Sequence, residues 1–234
     1  MFHQKIKIFY DGVNIEEYGI TEYVKGFTTN PTLMNKGNIS SKKYEDFAKD
    51  FLKKSRGLPV SFEVFADDLD EMIQQAKIIY SWSDTIYVKI PITNTKGEST
   101  GRVIEELNRL NIKVNVTAIF TAEQVNIAVA SIKNNNCPAI ISLFCGRIAD
   151  TGVNPKDICL SACLSCKNKN IEILWASTRE VYNVFDAINY NCDIITISDS
   201  VFKKLNLIGK DLKEYSLETV QMFRNDAIKS GISF

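Results

Sequence analysis

Eight strand-like runs alternate with helical patterns along nearly the whole chain, and this alternation limits the possible folds more than any other feature. Each run is short and apolar, and most are rich in β-branched or aromatic residues. Strands that alternate with helices in this way pair in parallel. Eight such units in 234 residues match the count of a (β/α)8 barrel, also called a TIM barrel. We therefore predict the α/β class and a single domain over residues 1–234, with the barrel over about 5–207 and an additional C-terminal helix in an extension over about 210–234.

The apolar and turn patterns also give approximate limits for each element. Strands are predicted at 5–10, 26–29, 59–65, 85–91, 113–119, 139–144, 171–176 and 193–197. Helices are predicted near 40–55, 67–81, 99–110, 121–133, 156–167, in a segment that ends near 190, and at 200–205 and 216–229.

The charge balance excludes several classes of partner. Lys and Arg together number 28, as do Asp and Glu, so the formal charge is zero and no basic face for nucleic acid is implied. No apolar run approaches the length of a membrane span, and the first residues lead into a strand-length run rather than a signal-peptide core. We expect a cytoplasmic protein that binds neither nucleic acid nor membrane.

The six cysteines are predicted to be free thiols, because a chain of this size without an export signal is not typical of a disulfide framework. Cys159, Cys163 and Cys166 follow the spacing i, i+4, i+7, which is one face of a helix. A similar triplet holds the iron–sulfur cluster of radical enzymes, a hypothesis that predicts bound iron and a brown colour. The position of this triplet in a predicted helix late in the chain favours buried thiols. His3 is the only histidine, so multi-histidine metal sites and histidine-based triads are excluded.

Lys89 is the residue that does not fit its surroundings. It lies near the end of the run 85–91, which is otherwise typical of a strand buried on both faces. Burial of an ammonium group is costly, so such a site favours the neutral amine, which is a nucleophile toward carbonyl groups. Lys89 is thus a candidate Schiff-base residue. The alternative is a lysine that extends from the strand end to water.

Further polar residues lie inside or just after the predicted strands. In a TIM barrel these positions converge on one mouth, at the C-terminal ends of the strands. Each residue alone has a structural explanation, such as a turn former or a solvated arginine, but a convergent set around a buried lysine indicates an active site. The set comprises Asp11, Asn30, Glu63, Lys89, Asn115, Thr117, Ser142, Arg147, Ser177 and Arg179.

Five stretches, in this order, resemble the transaldolase family, especially its small single-domain members and the related fructose-6-phosphate aldolases. They are Phe27-Thr28-Thr29-Asn30-Pro31-Thr32, Val60-Ser61-Phe62-Glu63-Val64, Val88-Lys89-Ile90-Pro91, Asn115-Val116-Thr117 and Gly146-Arg147-Ile148. The resemblance extends from about Lys7 to Leu205, and it is the combination of motifs that is specific.

The resemblance implies a transferase that moves a dihydroxyacetone unit between sugar phosphates without metal or organic cofactor. Lys89 would form the Schiff base, Glu63 would shuttle protons through a water shared with Thr117, and Asp11 would take the C4-hydroxyl proton. The remaining roles also follow from the resemblance: Asn30, Asn115 and Ser142 would bind the dihydroxyacetone hydroxyls, and Arg147, Arg179 and Ser177 would bind the phosphate.

Three departures from the family pattern affect these expectations. The family usually has Ser-Phe-Arg-Asn where this chain has Ser177-Thr178-Arg179-Glu180, and Glu180 brings a negative charge toward the expected phosphate site. The usual Asp-Thr is Asp11-Gly12, and the usual Ser-Pro-Phe is Ser142-Leu143-Phe144. Phe144 resembles the transferases, because the aldolases place a tyrosine there whose hydroxyl helps water to protonate the intermediate.

Two alternatives to a transaldolase stay open. One is an aldolase of the fructose-6-phosphate type that releases free dihydroxyacetone, and the other is a sugar-phosphate-binding protein that has lost catalysis. The resemblance also implies a homo-oligomer in which the C-terminal helix, with Leu217, Val220, Met222 and Phe223 among its apolar residues, packs on a neighbouring subunit.

Overall fold

The fold is a closed barrel of eight parallel strands, as the sequence predicts. The computed structural model describes residues 2–18, 21–37, 39 and 44–231. The strands follow chain order around the barrel, and β8 pairs with β1 to close it. They are β1 (Lys7–Asp11), β2 (Val24–Thr28), β3 (Val60–Glu63), β4 (Ile86–Pro91), β5 (Val114–Ile119), β6 (Ala139–Leu143), β7 (Ile171–Trp175) and β8 (Ile194–Ile197). Every predicted strand is present, with its ends within two residues of the prediction.

Helices connect the strands. They are α1 (Ile15–Tyr18), α2 (Pro31–Lys36), α3 (Tyr44–Lys54), α4 (Leu69–Ser81), α5 (Gly101–Arg109), α6 (Ala122–Ser131), α7 (Cys145–Asp150), α8 (Lys156–Ser165), α9 (Asn183–Asn189), α10 (Asp199–Phe202) and α11 (Leu212–Ser230). Single 3-10 turns cover Phe2–Gln4 and Leu205–Leu207. The short helices α1, α2 and α7 were not predicted, and residues 40–43 of the predicted helix 40–55 lie outside the described part of the chain.

The inward-facing positions of the barrel change from apolar to polar toward the C-terminal ends of the strands. Phe9, Ile140, Leu174 and Ile194 form one buried apolar cluster, together with Ala176. Because side chains alternate between the two faces of a strand, the residues two places further along point into the same interior. On β1, β6 and β8 these residues are Asp11, Ser142 and Thr196. The apolar cluster therefore supports a polar layer above it.

Strand β5 carries an irregularity beside this polar layer. Its pairing with β6 shifts register between Val116 and Ile119. Ala118 within the shift has a φ of +58°, a left-handed conformation that a residue with a Cβ rarely adopts. Such a bulge re-aims the neighbouring side chains, and Thr117 is one of them.

The described residues up to Phe202 form one compact unit, and those from Lys203 onward form a second. In the second unit, Asp211 caps the N-terminus of α11, since its side chain accepts hydrogen bonds from the amides of Lys213 and Glu214. Gly231, which has a φ of +67°, caps the C-terminus. Within the described ranges, no helix has both the length and the hydrophobicity that a membrane crossing requires.

Candidate active site

A cavity of about 510 Å³ lies at the C-terminal ends of the strands. Ten of the eleven predicted site residues line it: Asp11, Asn30, Glu63, Lys89, Thr117, Ser142, Phe144, Arg147, Ser177 and Arg179. The structure thus brings these side chains together around one cavity. A second cavity, of about 710 Å³, lies at the opposite ends of the strands and is lined by Lys7, Glu172 and Asp193 among others; no predicted site residue lines it.

Lys89 is buried in the barrel and does not extend to solvent. Its side chain is 8% exposed. The Nζ atom donates a hydrogen bond to the Thr29 carbonyl at 3.0 Å and lies 3.3 Å from Oε2 of Glu63. Strands β3 and β4 pair Glu63 directly with Lys89, so the sheet register itself places the carboxylate beside the amine. Glu63 can therefore exchange a proton with this amine directly as well as through a water.

Asp11 is the second carboxylate near the lysine. It ends β1 and accepts a hydrogen bond of 2.7 Å from the Thr28 hydroxyl. Burial raises the pKa of Asp11 above its ordinary value, and the charge of Asp199 adds to this effect, while Lys89 and the Thr28 hydroxyl oppose it. A carboxyl group whose proton affinity is raised in this way is suited to general acid–base catalysis.

Thr117 offers a hydroxyl that no described residue uses. Its side chain is buried, and within the described residues its Oγ1 atom has no hydrogen-bond partner. A buried polar atom without a partner costs roughly 1–3 kcal/mol. Because Thr117 lines the same cavity as Glu63 and Lys89, this hydroxyl is placed to bind a water or a substrate hydroxyl there.

Asn115 differs from the other predicted residues because it does not line the cavity. It is fully buried, donates through Nδ2 to Ser61 Oγ at 3.0 Å and accepts at Oδ1 from Ser142 Oγ at 2.6 Å. These hydrogen bonds fix the orientation of Ser142, which does line the cavity. Asn30 combines two roles, since it lines the cavity and also caps α2 by accepting a 3.0 Å hydrogen bond from the Leu33 amide.

Arg179 is held by Asp150, a residue that the sequence analysis did not single out. Nε of Arg179 lies 3.0 and 3.1 Å from the two carboxylate oxygens, and Nη2 makes a further hydrogen bond to the same group. The Arg179 guanidinium lowers the pKa of Asp150 below its ordinary value. Glu180, which the sequence suggested as the disturbing charge, is exposed and does not line the cavity. The carboxylate that competes for Arg179 is therefore Asp150.

Arg147 and Phe144 form a second part of the same rim. The guanidinium carbon of Arg147 lies 5.2 Å from the centre of the Phe144 ring, which suits a cation–π contact. Phe144 is partly buried and packs on Phe120 at a centroid distance of 5.5 Å. The arginine is thus directed across the face of an aromatic ring that has no hydroxyl.

Gly146 brings the loops after β6 and β7 into direct backbone contact. An ideal Cβ atom at position 146 would lie 1.6 Å from the carbonyl oxygen of Ser177. Ser177 itself has a φ of +65°. Only glycine permits this approach, which fixes the position of Ser177 relative to Arg147.

Gly12 has a similar explanation. An ideal Cβ atom at position 12 would lie 2.3 Å from the hydroxyl of Tyr10. Tyr10 is fully buried and donates a hydrogen bond of 2.6 Å to Asp199. The tyrosine therefore occupies the space that a side chain after Asp11 would need, which accounts for the departure from Asp-Thr.

Several lining residues were not predicted. They are Thr28, Pro31, Thr32, Leu33, Lys36, Ala118, Leu174, Ala176, Thr178, Thr196 and Ser198. Thr28 and Thr196 are polar residues within strands β2 and β8, as Ser142 is within β6, so the criterion that selected Ser142 could also have indicated them. Thr178 donates to the Thr196 carbonyl at 2.5 Å. Within the described residues, no group of three or more His, Cys, Asp and Glu side chains is arranged to hold a metal ion.

A parallel barrel with a buried lysine and two carboxylates at the C-terminal ends of its strands defines a site of the lysine-dependent aldolase type. The family described as Transaldolase/Fructose-6-phosphate aldolase matches residues 8–233. A "Probable transaldolase" from Thermoplasma volcanium is 36% identical over 205 residues, which cover 86% of this chain and 87% of that protein. A "Probable transaldolase 2" from Listeria monocytogenes is 32% identical over 205 residues, covering 86% and 88%. The chain belongs to the transaldolase/fructose-6-phosphate aldolase family.

Solved structures with little sequence similarity share the fold. An N-acetylneuraminate lyase from Mycoplasma synoviae superposes with a TM-score of 0.59 at 12% identity, covering 96% of this chain and 82% of that one. A thiamine phosphate pyrophosphorylase from Pyrococcus furiosus gives 0.57 at 11% identity, covering 86% and 90%. At these identities the likeness concerns the barrel alone.

Proposed function

We propose that this chain is a transaldolase-type transferase, which moves a dihydroxyacetone unit between sugar phosphates through a Schiff base on Lys89. The observation that carries the proposal is the buried Lys89 amine, 3.3 Å from the Glu63 carboxylate, in the cavity at the C-terminal ends of the strands. Family membership and the relatives named as transaldolases support the same reaction.

In the first step, the Lys89 amine attacks the ketone carbon of the donor, and the carbinolamine loses water to give an iminium ion. Glu63 lies close enough to Lys89 to remove the proton that makes the amine nucleophilic. The same carboxyl group can return a proton to the departing hydroxyl, through a water held by Thr117. The Thr117 hydroxyl has no partner among the described residues, and this favours the arrangement.

In the second step, the C3–C4 bond breaks and its electron pair moves into the iminium. Asp11 takes the proton of the C4 hydroxyl, so the donor fragment that begins at C4 leaves as an aldehyde. The raised pKa of Asp11 suits this role, because a carboxylate with higher proton affinity is the stronger base. The iminium supplies the electron sink, so we propose that no metal or organic cofactor takes part.

Arg147 and Arg179 would bind the phosphate, with Ser177 and the amides of the loops after β6 and β7. Planar guanidinium groups suit phosphate bidentately. Arg179 is already bound by Asp150, so we propose that phosphate binding requires an exchange of this partner. The Asn30 amide and the Ser142 hydroxyl would bind the hydroxyls of the dihydroxyacetone unit, and Asn115 would act through its hydrogen bond with Ser142.

The aldolase alternative makes a different use of the intermediate, which water must protonate before dihydroxyacetone can leave. Phe144 lines the cavity without a hydroxyl that could help this water, and this favours transfer to an aldehyde acceptor.

We further propose a cytoplasmic homo-oligomer. The exposed apolar side chains of α11, among them Leu217, Val220 and Phe223 at 58–62% exposure, support a subunit contact through this helix.

Borohydride trapping tests the proposal directly. With a phosphorylated ketose, we expect a reduced adduct on Lys89 by peptide mapping, and little free dihydroxyacetone until an aldehyde acceptor is added. Lys89→Met should abolish both the adduct and turnover. Lys36→Met is the matched control, because Lys36 lines the same cavity but lies on α2, away from Glu63. In the Lys36→Met variant, the adduct on Lys89 should persist.

The other two readings give different results in the same assay. Free dihydroxyacetone at the full rate without an acceptor would identify an aldolase. Ligand binding by the wild-type chain and by Lys89→Met, with no adduct in either, would identify a binding protein without catalysis.

A further inference from the structure

Four thiols outside the active-site cavity lie in one cluster that reaches the active-site loop. Cys145 Sγ lies 3.4 Å from Cys159 Sγ. Cys163 lies one helical turn after Cys159 on α8, and its Sγ atom is 3.1 Å from the carbonyl oxygen of Asn191. Cys192 follows Asn191 just before β8, and the neighbouring Cys159 and Cys163 thiols raise its pKa. We call these four residues, in the order Cys145, Cys159, Cys192 and Cys163, the sulfur column.

The two ends of the sulfur column differ in exposure. Cys145 and Cys159 are fully buried and Cys192 is nearly so, whereas Cys163 is only partly buried. Cys163 makes its S–H contacts with backbone carbonyls, at 3.1 Å from Asn191 O and 3.6 Å from Tyr190 O. A solute in water can therefore reach the column at Cys163.

The buried end of the column belongs to the active-site loop. Cys145 is the first residue of α7 and directly precedes Gly146, whose backbone contacts Ser177, and then Arg147. A disulfide needs an S–S distance of about 2.05 Å, so the two sulfurs at 3.4 Å must approach by roughly 1.4 Å. This movement would pull on the first turn of α7.

We propose that the sulfur column is an oxidation site, in which hydrogen peroxide reacts at Cys163 and the resulting disulfide is passed inward to Cys145 and Cys159. In the first step the Cys163 thiol attacks peroxide, an S–O bond forms, the O–O bond breaks and one water leaves. The Cys192 thiol then attacks the sulfenic sulfur, which forms an S–S bond and releases a second water. Peroxide is the two-electron oxidant, and the two thiols are oxidised together.

The disulfide then moves by exchange, which conserves electrons. Cys159 attacks the sulfur of Cys192 and releases Cys163 as a thiol, with the proton passing from the attacking to the released group. Cys145 attacks the sulfur of Cys159 and releases Cys192 in the same way. Hydrogen bonds from Cys145 and Cys192 lower the pKa of Cys159 below its ordinary value, which favours it as the attacking group in the middle of the column.

The site is tested by disulfide mapping, which does not depend on the catalytic activity. The full chain is treated with hydrogen peroxide, its remaining thiols are blocked with N-ethylmaleimide, and the non-reduced peptides are identified by mass spectrometry. We expect peptides joined through Cys145 and Cys159, which dithiothreitol separates. Peptides joined through other cysteines only, disulfides between chains, or sulfinic acid without a disulfide would overturn the proposal.

Three variants test the direction of transfer. Cys163→Ala removes the exposed entry thiol and should slow formation of the Cys145–Cys159 disulfide by roughly tenfold or more. Cys159→Ala should stop the reaction at a Cys163–Cys192 disulfide. Cys137→Ala is the control, because Cys137 is buried but lies outside the column, and it should oxidise at the wild-type rate. An unchanged rate in Cys163→Ala would contradict entry at that residue.

The effect on the active site rests on the proposed function and is measured separately. Oxidation should raise the KM for a phosphorylated donor more than it lowers kcat, because α7 carries Arg147, and dithiothreitol should reverse the change. An oxidised chain with the Cys145–Cys159 disulfide and an unaltered KM would show that the oxidation site exists but does not act on α7.

Discussion

Substitution of Gly146 by Ala should separate the two loops that carry the proposed phosphate-binding residues. The new Cβ atom would lie 1.6 Å from the Ser177 carbonyl oxygen. A carbon and an oxygen in ordinary close contact are about 3.3 Å apart, so the backbones must move apart by roughly 1.7 Å. A displacement of about 1 Å at a positioning group can cost on the order of 100-fold in rate. We expect kcat/KM for a phosphorylated donor to fall by about this factor, mainly through KM.

The assay compares kcat and KM of the variant with borohydride trapping on Lys89, which lies on β4 away from the disturbed loops. Trapping at saturating donor should persist, and the free energy of unfolding should fall by about 1–3 kcal/mol, as is typical of overpacking. Gly101→Ala is the control, because its nearest neighbour is the rotatable Ser131 hydroxyl at 3.0 Å. A Gly146→Ala variant with wild-type KM and stability would refute the reasoning that this backbone contact positions the loops.

Three further variants each test one residue of the site. Asp11→Asn should abolish C3–C4 cleavage yet increase the free energy of unfolding at neutral pH. The folded-state pKa of Asp11 is raised, so the stability contributed by the protonated Asp11 is present at low pH and is lost as the pH rises through that pKa. The free energies of unfolding of the wild-type chain and of Asp11→Asn should therefore converge toward low pH in denaturation curves. Thr117→Val should slow adduct formation by roughly 10- to 100-fold without loss of thermal stability, because within the described residues Oγ1 has no partner; a lower Tm would contradict this. Asp150→Asn should lower the KM for a phosphorylated donor by at most about fivefold, because an exposed ion pair such as that with Arg179 is weakened by solvent, and an unphosphorylated donor should show no change.

The strands were predictable because a buried strand has a locally apolar and β-branched sequence. Runs such as Ile86–Pro91 and Val114–Ile119 are β-branched and apolar, since both faces of each strand are covered. The short helices α1, α2 and α7, of four to six residues, have too few turns to show a helical period. Asn30 and Pro31 do give α2 a local start signal, but the lengths of these helices depend on the connections that the barrel imposes.

The site was predicted as a set of residues but not as a network. The sequence placed Asn115 and Thr117 together among the converging polar residues, yet it could not give their depth. Asn115 lies beneath the cavity, hydrogen-bonded to Ser61 and Ser142. The pairing of Arg179 with Asp150 joins the loop after β7 to the last residue of α7, 29 positions away in the sequence. Such contacts depend on how the loops after neighbouring strands meet, and the sequence alone carries no signal for that.

The contact between Tyr10 and position 12 has a consequence for how this barrel can evolve. A side chain larger than glycine at position 12 would collide with the tyrosine hydroxyl, and loss of the tyrosine would leave Asp199 without a hydrogen-bond donor at 2.6 Å. Neither position can change alone without cost, so the two substitutions are epistatic. Residues 10 and 12 are therefore expected to covary among descendants of this chain, and a return to Asp-Thr after β1 requires a smaller residue at position 10 first.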